Sequence, residues 1–172
     1  MGRRSTILAV YALVSLVFLS NGTAQTVKPD TSSVRVFDST GRFVGNVVGV
    51  QFDDASVSFE YNSIHFLLAV TRTQFTQFSI PALFYTSIDC SGPAFLLDNG
   101  TVFAPARLQQ TTVFLADTRV PSHSEILKST GVPGSCSQES RTAAAFNTIT
   151  FTNFTNQWTA PFSIRSASDI LR

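Results

Sequence analysis

Apolar and polar residues alternate along much of this chain. Val57-Ser58-Phe59-Glu60-Tyr61 is the clearest case. A period of two sends one face of a strand into a core and the other into water. Residues 34–37 and 42–50 are two further β-like runs, and Asp38-Ser39-Thr40-Gly41 lies between them. Aspartate accepts hydrogen bonds within its own turn and glycine adopts positive φ, so this segment predicts a hairpin. Asn62-Ser63 predicts the next turn. His65-Phe66-Leu67-Leu68-Ala69-Val70 is nearly all apolar, the pattern of a strand buried on both faces. Phe75 and Phe78 continue the β composition among Thr and Gln.

Leu83-Phe84-Tyr85-Thr86 predicts a strand, Asp89-Cys90-Ser91-Gly92-Pro93 a corner, and residues 94–97 a strand leading away. Asn99-Gly100 is the strongest short hairpin signal, so residues 95–97 are expected to pair with residues 102–104. Residues 111–116 predict another strand. Residues 122–128 are the one short helical candidate, capped by Ser122 or Ser124 and ended by Gly131 and Pro133; a strand over residues 125–128 is the rival. Residues 131–137 read as a loop carrying Cys136. Residues 143–147 and 148–153 predict a further strand or pair, and residues 161–165 a closing strand after Trp158.

The pattern totals roughly nine to eleven short strands. It predicts an all-β fold, a single antiparallel β-sandwich or barrel with at most one short helix after the signal peptide. Of the 16 phenylalanines only Phe18 precedes the strands, and the rest are spread as a core would need.

The N-terminus changes the setting. Arg3 and Arg4 precede an apolar run over residues 7–19, and Asn21-Gly22-Thr23-Ala24 follows. Charge, a short apolar run and a small-residue exit are the marks of a secretory signal peptide. The run is shorter than the ~20 residues a spanning helix needs. The expected organisation is a signal peptide over residues 1–24, a flexible lead-in over 25–33, a β-rich domain over 34–165 and a polar tail over 166–172. The exported chain is expected to be secreted, periplasmic or cell-surface, without stable membrane insertion after cleavage.

Cleavage removes two arginines, so 12 basic against 11 acidic residues becomes 10 against 11. Lys28 and Lys128 are the only lysines, and no basic stripe exists to neutralise phosphates; nucleic acid is not an expected partner. Two cysteines in an exported chain predict a Cys90–Cys136 disulfide. Neither cysteine belongs to a Cys-x-x-Cys pair or a zinc-ligand spacing. Asp53-Asp54 lacks the ligand pattern of a calcium loop, so no metal or cofactor is expected. Asn99-Gly100-Thr101 and Asn153-Phe154-Thr155 match glycosylation sequons.

Three functional readings remain. The first is a non-enzymatic binding or structural surface domain. The second is an exported hydrolase using Asp89 or Ser91 with His65 or His123. The third is a carbohydrate or cell-wall binder presenting Trp158, Tyr61 and Tyr85 on one face, since aromatics with polar handles suit a wet surface. Residues 89–93 resemble the Gly-Asp-Ser-Gly-Gly-Pro loop of chymotrypsin-like serine proteases over about five positions. Cys90, however, separates acid from serine, and the double glycine is missing. The Asp-Thr/Ser-Gly triplet of aspartic proteases is likewise broken at residues 38–41 by an extra threonine. These departures favour the first reading, with no catalytic residue assigned.

Tyr85, Ser87, Asp89, Cys90, Ser91 and Gly92, followed by Phe95, form a Tyr-x-Ser/Thr-x-Asp-Cys-Ser-Gly segment. It resembles a recurring segment of small, uncharacterised exported bacterial proteins. Val34, Val36, Asp38, Gly41, Val44 and Gly45 match the hairpin with which those chains begin, and Phe37 sits where no aromatic is required. The resemblance spans about the first two thirds of the exported part. It implies an exported β domain and carries no activity, ligand or site.

Overall fold

The structure, a computed structural model, describes residues 34–166. The expected signal peptide, the lead-in and all but the first residue of the tail lie outside the described residues. Twelve strands follow one another: β1 (Arg35–Phe37), β2 (Phe43–Gln51), β3 (Asp54–Tyr61), β4 (Ile64–Val70), β5 (Phe75–Thr76), β6 (Phe84–Tyr85), β7 (Phe95–Leu97), β8 (Ala106–Gln109), β9 (Thr112–Ala116), β10 (His123–Val132), β11 (Ser135–Phe151) and β12 (Ser163–Arg165). Among the described residues the sole helical element is a 3-10 turn at Thr155–Gln157, and no helix is long and apolar enough to cross a membrane.

The strands form two curled antiparallel sheets in a sandwich-like fold. The first runs β12-β1-β2-β3-β4-β5 and the second β10-β6-β7-β11-β9-β8. β10 also pairs with β11, so β10, β6, β7 and β11 close a small ring. Period-two burial explains the first sheet. In β3, Ala55, Val57 and Phe59 are buried while the residues between them are more open. In β4 the alternation holds only at the start, where His65 is exposed; Leu68, Ala69 and Val70 are buried in succession.

The expected first hairpin is present, with Val36 opposite Gly45 and Phe37 opposite Phe43. Asp38 holds its turn and is almost fully buried. Its Oδ1 accepts bonds from the Thr40 hydroxyl at 2.7 Å, the Thr40 amide at 2.9 Å and the Arg42 amide at 2.9 Å. Its Oδ2 accepts from the Thr159 amide at 3.2 Å, which ties the hairpin to the segment before β12. Burial by itself would raise this carboxyl's pKa, but the four donors outweigh it and lower the pKa from 3.8 to about 2.

Three expectations are corrected. Residues 123–128 lie in β10, so the rival strand over 125–128 forms and the helix does not: Leu127 is fully buried whereas its neighbour Ile126 is 60% exposed, the two-residue period of a strand paired to β11. Asn99-Gly100 does not join a hairpin. β7 pairs with β6 and β11 instead, Val102 is 96% exposed, and Ala104 bridges in parallel to Phe66. Cys136 lies in β11, a strand of 17 residues: the expected loop over 131–137 is reduced to the turn at residues 133–134, and the residues expected as a strand or pair form one strand. Just before the turn to β11, β10 requires glycine at 131, opposite Cys136. Its φ is +132°, and a Cβ there would run into the Ser135 carbonyl.

Candidate functional site

Two depressions in the described residues adjoin the side chains singled out in the sequence. The first, about 540 Å³, lies beside the corner and is lined by Tyr85, Ser91, Gln109, Phe114, Thr148 and Thr150 among others. Cys90 and Cys136 are disulfide-bonded with their Cα atoms 5.7 Å apart, so neither sulfur is a free thiol. Cys90 has φ +56° and its amide donates to Ser129 Oγ at 3.1 Å. Ser129 in turn donates to the Ser87 carbonyl at 2.8 Å. Ser91 Oγ donates to Asp89 Oδ1 at 2.6 Å. That bond, with help from Ser87 and the Ser91 amide, holds the Asp89 carboxyl below its usual range. A carboxylate stabilised in its charged form is a poor base, and the serine is already its donor. The arrangement is that of a turn cap.

Neither histidine lines this depression. His65 stands opposite Glu60 across the β3–β4 ladder. His123 Nε2 lies 3.0 Å from Glu125 Oε1 on β10. The residues named for a hydrolase are therefore distributed over separate elements. Among the described residues, no three His, Cys, Asp or Glu side chains cluster as a metal site.

The second depression is a fork in the first sheet. The β2–β3 ladder ends at Asn46 opposite Ser58. Beyond it, β2 continues beside β1 and β3 beside β4. Gly45 sits at the fork's base: a Cβ there would overlap the Val57 side chain and reach within 2.9 Å of the Ser58 carbonyl. Trp158 enters the opening and its Nε1–H donates to the Phe43 carbonyl at 3.0 Å, supplying a partner for a backbone group where β3 has left. The result is an open cleft of about 510 Å³. Phe43, Phe59, Phe151, Phe154 and Trp158 form its aromatic part, and Asn46, Ser58, Glu60, His65 and Gln157 its polar part. Phe43 is 49% exposed, with the Arg35 guanidinium 5.8 Å from its ring centre.

The three aromatics expected to share a face are divided by the fold. Trp158 is half-buried in this cleft. Tyr61 stacks on Phe151 with ring centres 4.1 Å apart, beside the cleft. Tyr85 is 4% exposed and belongs to the cluster of Leu83, Cys90 and Leu96, so it does not join them. Burial raises its hydroxyl pKa, opposed by the Arg107 charge. Sequence reasoning missed Phe43, Asn46, Glu60 and Gln157 as members of one site. No local pattern marks them: Phe43 and Asn46 share a face only because of a register shift in the β1–β2 pairing, and Gln157 lies in the 3-10 turn. Both sequon asparagines are exposed, and at Asn99 the Thr101 hydroxyl donates to Oδ1 at 2.8 Å.

No protein-family model, curated protein or solved structure matches this chain.

Proposed function

We propose that this protein is an exported β domain that works by binding, as an extracellular or surface component, without catalysing a reaction. The N-terminal signal-like sequence and the disulfide support export, since such bonds persist in oxidising compartments. The observation that carries binding is the fork: an open cleft in which exposed aromatic surface adjoins hydrogen-bonding side chains. Apolar surface beside a few oriented polar groups is the general make-up of a ligand site.

The test has two arms. Mass spectrometry of the chain recovered from outside the producing cell is expected to show a mature N-terminus after Ala24; an unprocessed chain retained inside would overturn export. The recovered chain is then assayed against chromogenic esters, peptides and glycosides. No turnover is expected, and turnover abolished by Ser91→Ala would overturn the binding reading in favour of hydrolysis.

A further inference from the structure

We infer that the fork between β2 and β3 is a saccharide site. It takes a neutral, hydroxyl-rich sugar ring over Phe43, and Asn46, Glu60, His65 and Gln157 hydrogen-bond its hydroxyls. The inference rests on the binding reading and names its ligand class.

Four features support that class. The cleft's roughly 510 Å³ lies within the ~300–1,000 Å³ usual for small-molecule sites. Phe43 offers an apolar ring at the rim that stays about half exposed beside Phe37 and Arg35, whereas Trp158 is more deeply held by the fold. Trp158 has its N–H engaged with the Phe43 carbonyl, and its ring contacts Phe154 at 5.1 Å and Phe75 at 5.5 Å. A pyranose has apolar C–H faces and a polar rim, so it matches one aromatic plane flanked by hydrogen-bonding groups.

The polar set is also of the right kind. Amides of Asn46 and Gln157 both donate and accept, the Glu60 carboxylate accepts, and His65 adds a ring nitrogen. Hydroxyls need that mixture, since each is both donor and acceptor. Glu60 and His65 stand directly opposite each other on adjacent strands, which places them together on the sheet's solvent side. An added peptide strand needs a long free edge, yet β2 extends only three residues, 43–45, past its last pair with β3.

The experiment uses the exported chain and four neutral tetrasaccharides, built on glucose, xylose, mannose or N-acetylglucosamine. Trp158 is the sole tryptophan, so its emission and its indole N–H resonance report from the cleft itself. At least one sugar is expected to shift both signals saturably. Phe43→Ala should weaken that binding by about tenfold, and Glu60→Gln by about fivefold. Both side chains are exposed, and circular dichroism verifies that each variant folds. Ser91→Ala, in the other depression, should bind as the parent does.

If none of the four sugars moves the Trp158 signals up to about 10 mM, a ceiling weaker than millimolar affinity, the saccharide assignment is wrong. Binding left unchanged in both Phe43→Ala and Glu60→Gln overturns it equally. Neither result touches the binding reading, which fails on Ser91-dependent turnover and not on sugar affinity.

Discussion

The two ends of this fold are held together by different means. In one, the first sheet packs on β8, β9 and the end of β11 around an aromatic core. The Phe154 ring lies 5.1 to 5.3 Å from those of Phe59, Phe75, Phe151 and Trp158, meeting all four edge-to-face at 65° to 81°. Phe66, Phe162, Val57 and Leu115 complete the cluster. In the other, β6, β7, β10 and β11 curl into their ring and divide their apolar residues between two thin clusters. Leu83, Tyr85, Leu96 and Phe146 pack on one face of β6 and β7, and Phe84, Phe95, Leu127 and Ala145 on the other. Arg141 covers Phe84 at 4.3 Å. The disulfide joins this second region, where apolar burial is divided. Where a core is thick, burial suffices; where it is thin, a cross-link that restricts the unfolded chain contributes what packing does not.

Truncating the aromatic hub should be the most damaging single change. Phe154→Ala removes a ring that is 1% exposed and should cost about 3–5 kcal/mol, read as a lower midpoint in urea unfolding. A loss under ~1 kcal/mol would show that the core does not depend on its hub. Next is the cross-link. Cys90→Ser with Cys136→Ser opens a loop with a sequence separation of 46 and should cost about 2–4 kcal/mol. Amide exchange should rise most in β6, β7 and β10. Uniform exchange across both regions would contradict the division of labour.

Individual parts of this architecture are legible in the sequence, though not the contrast between the two regions. The alternation in residues 57–61, the Asp38 turn and the two cysteines each act locally or through general chemistry, so they were readable one segment at a time. The rest depended on partners distant in sequence. Residues 122–128 carry a cap and a terminator suited to a helix, but pairing with residues 141–145 exposes Ile126 and buries Leu127. Asn99-Gly100 has hairpin chemistry, but residues 95–97 already pair with β11, and the Asn99 side chain accepts from Thr101. Phe43 and Trp158 are 115 residues apart, and nothing local to either announces that they meet.

A smaller effect, with a pH signature, is expected at the joint within the first region. The folded Asp38 carboxyl titrates at about 2 against its ordinary 3.8. Its stabilisation is therefore fully present above about pH 3.8 and is lost as pH falls toward 2. Asp38→Asn should lower stability at neutral pH and flatten the decline between pH 4 and 2. Equal pH dependence in variant and parent would show that the four hydrogen bonds do not set that carboxyl's titration. The mildest change is Trp158→Phe, which keeps most of the ring packing but leaves the Phe43 carbonyl without its donor. About 1 kcal/mol is expected, with the loss of exchange protection confined to the fork; no change would mean that water replaces the indole there.

The fold class, the Asp38 turn and the cysteine pair are written in the sequence. Period-two burial and turn chemistry act over a few residues, and two cysteines in one chain have only each other to pair with. Tertiary structure decided which strands pair, and therefore that β2 and β3 part company at Asn46 and Ser58. It also turned Tyr85 inward and set Phe43 beside Trp158. A ladder's end is a property of two strands and of what fills the gap between them, and period-two alternation within either strand carries no record of it.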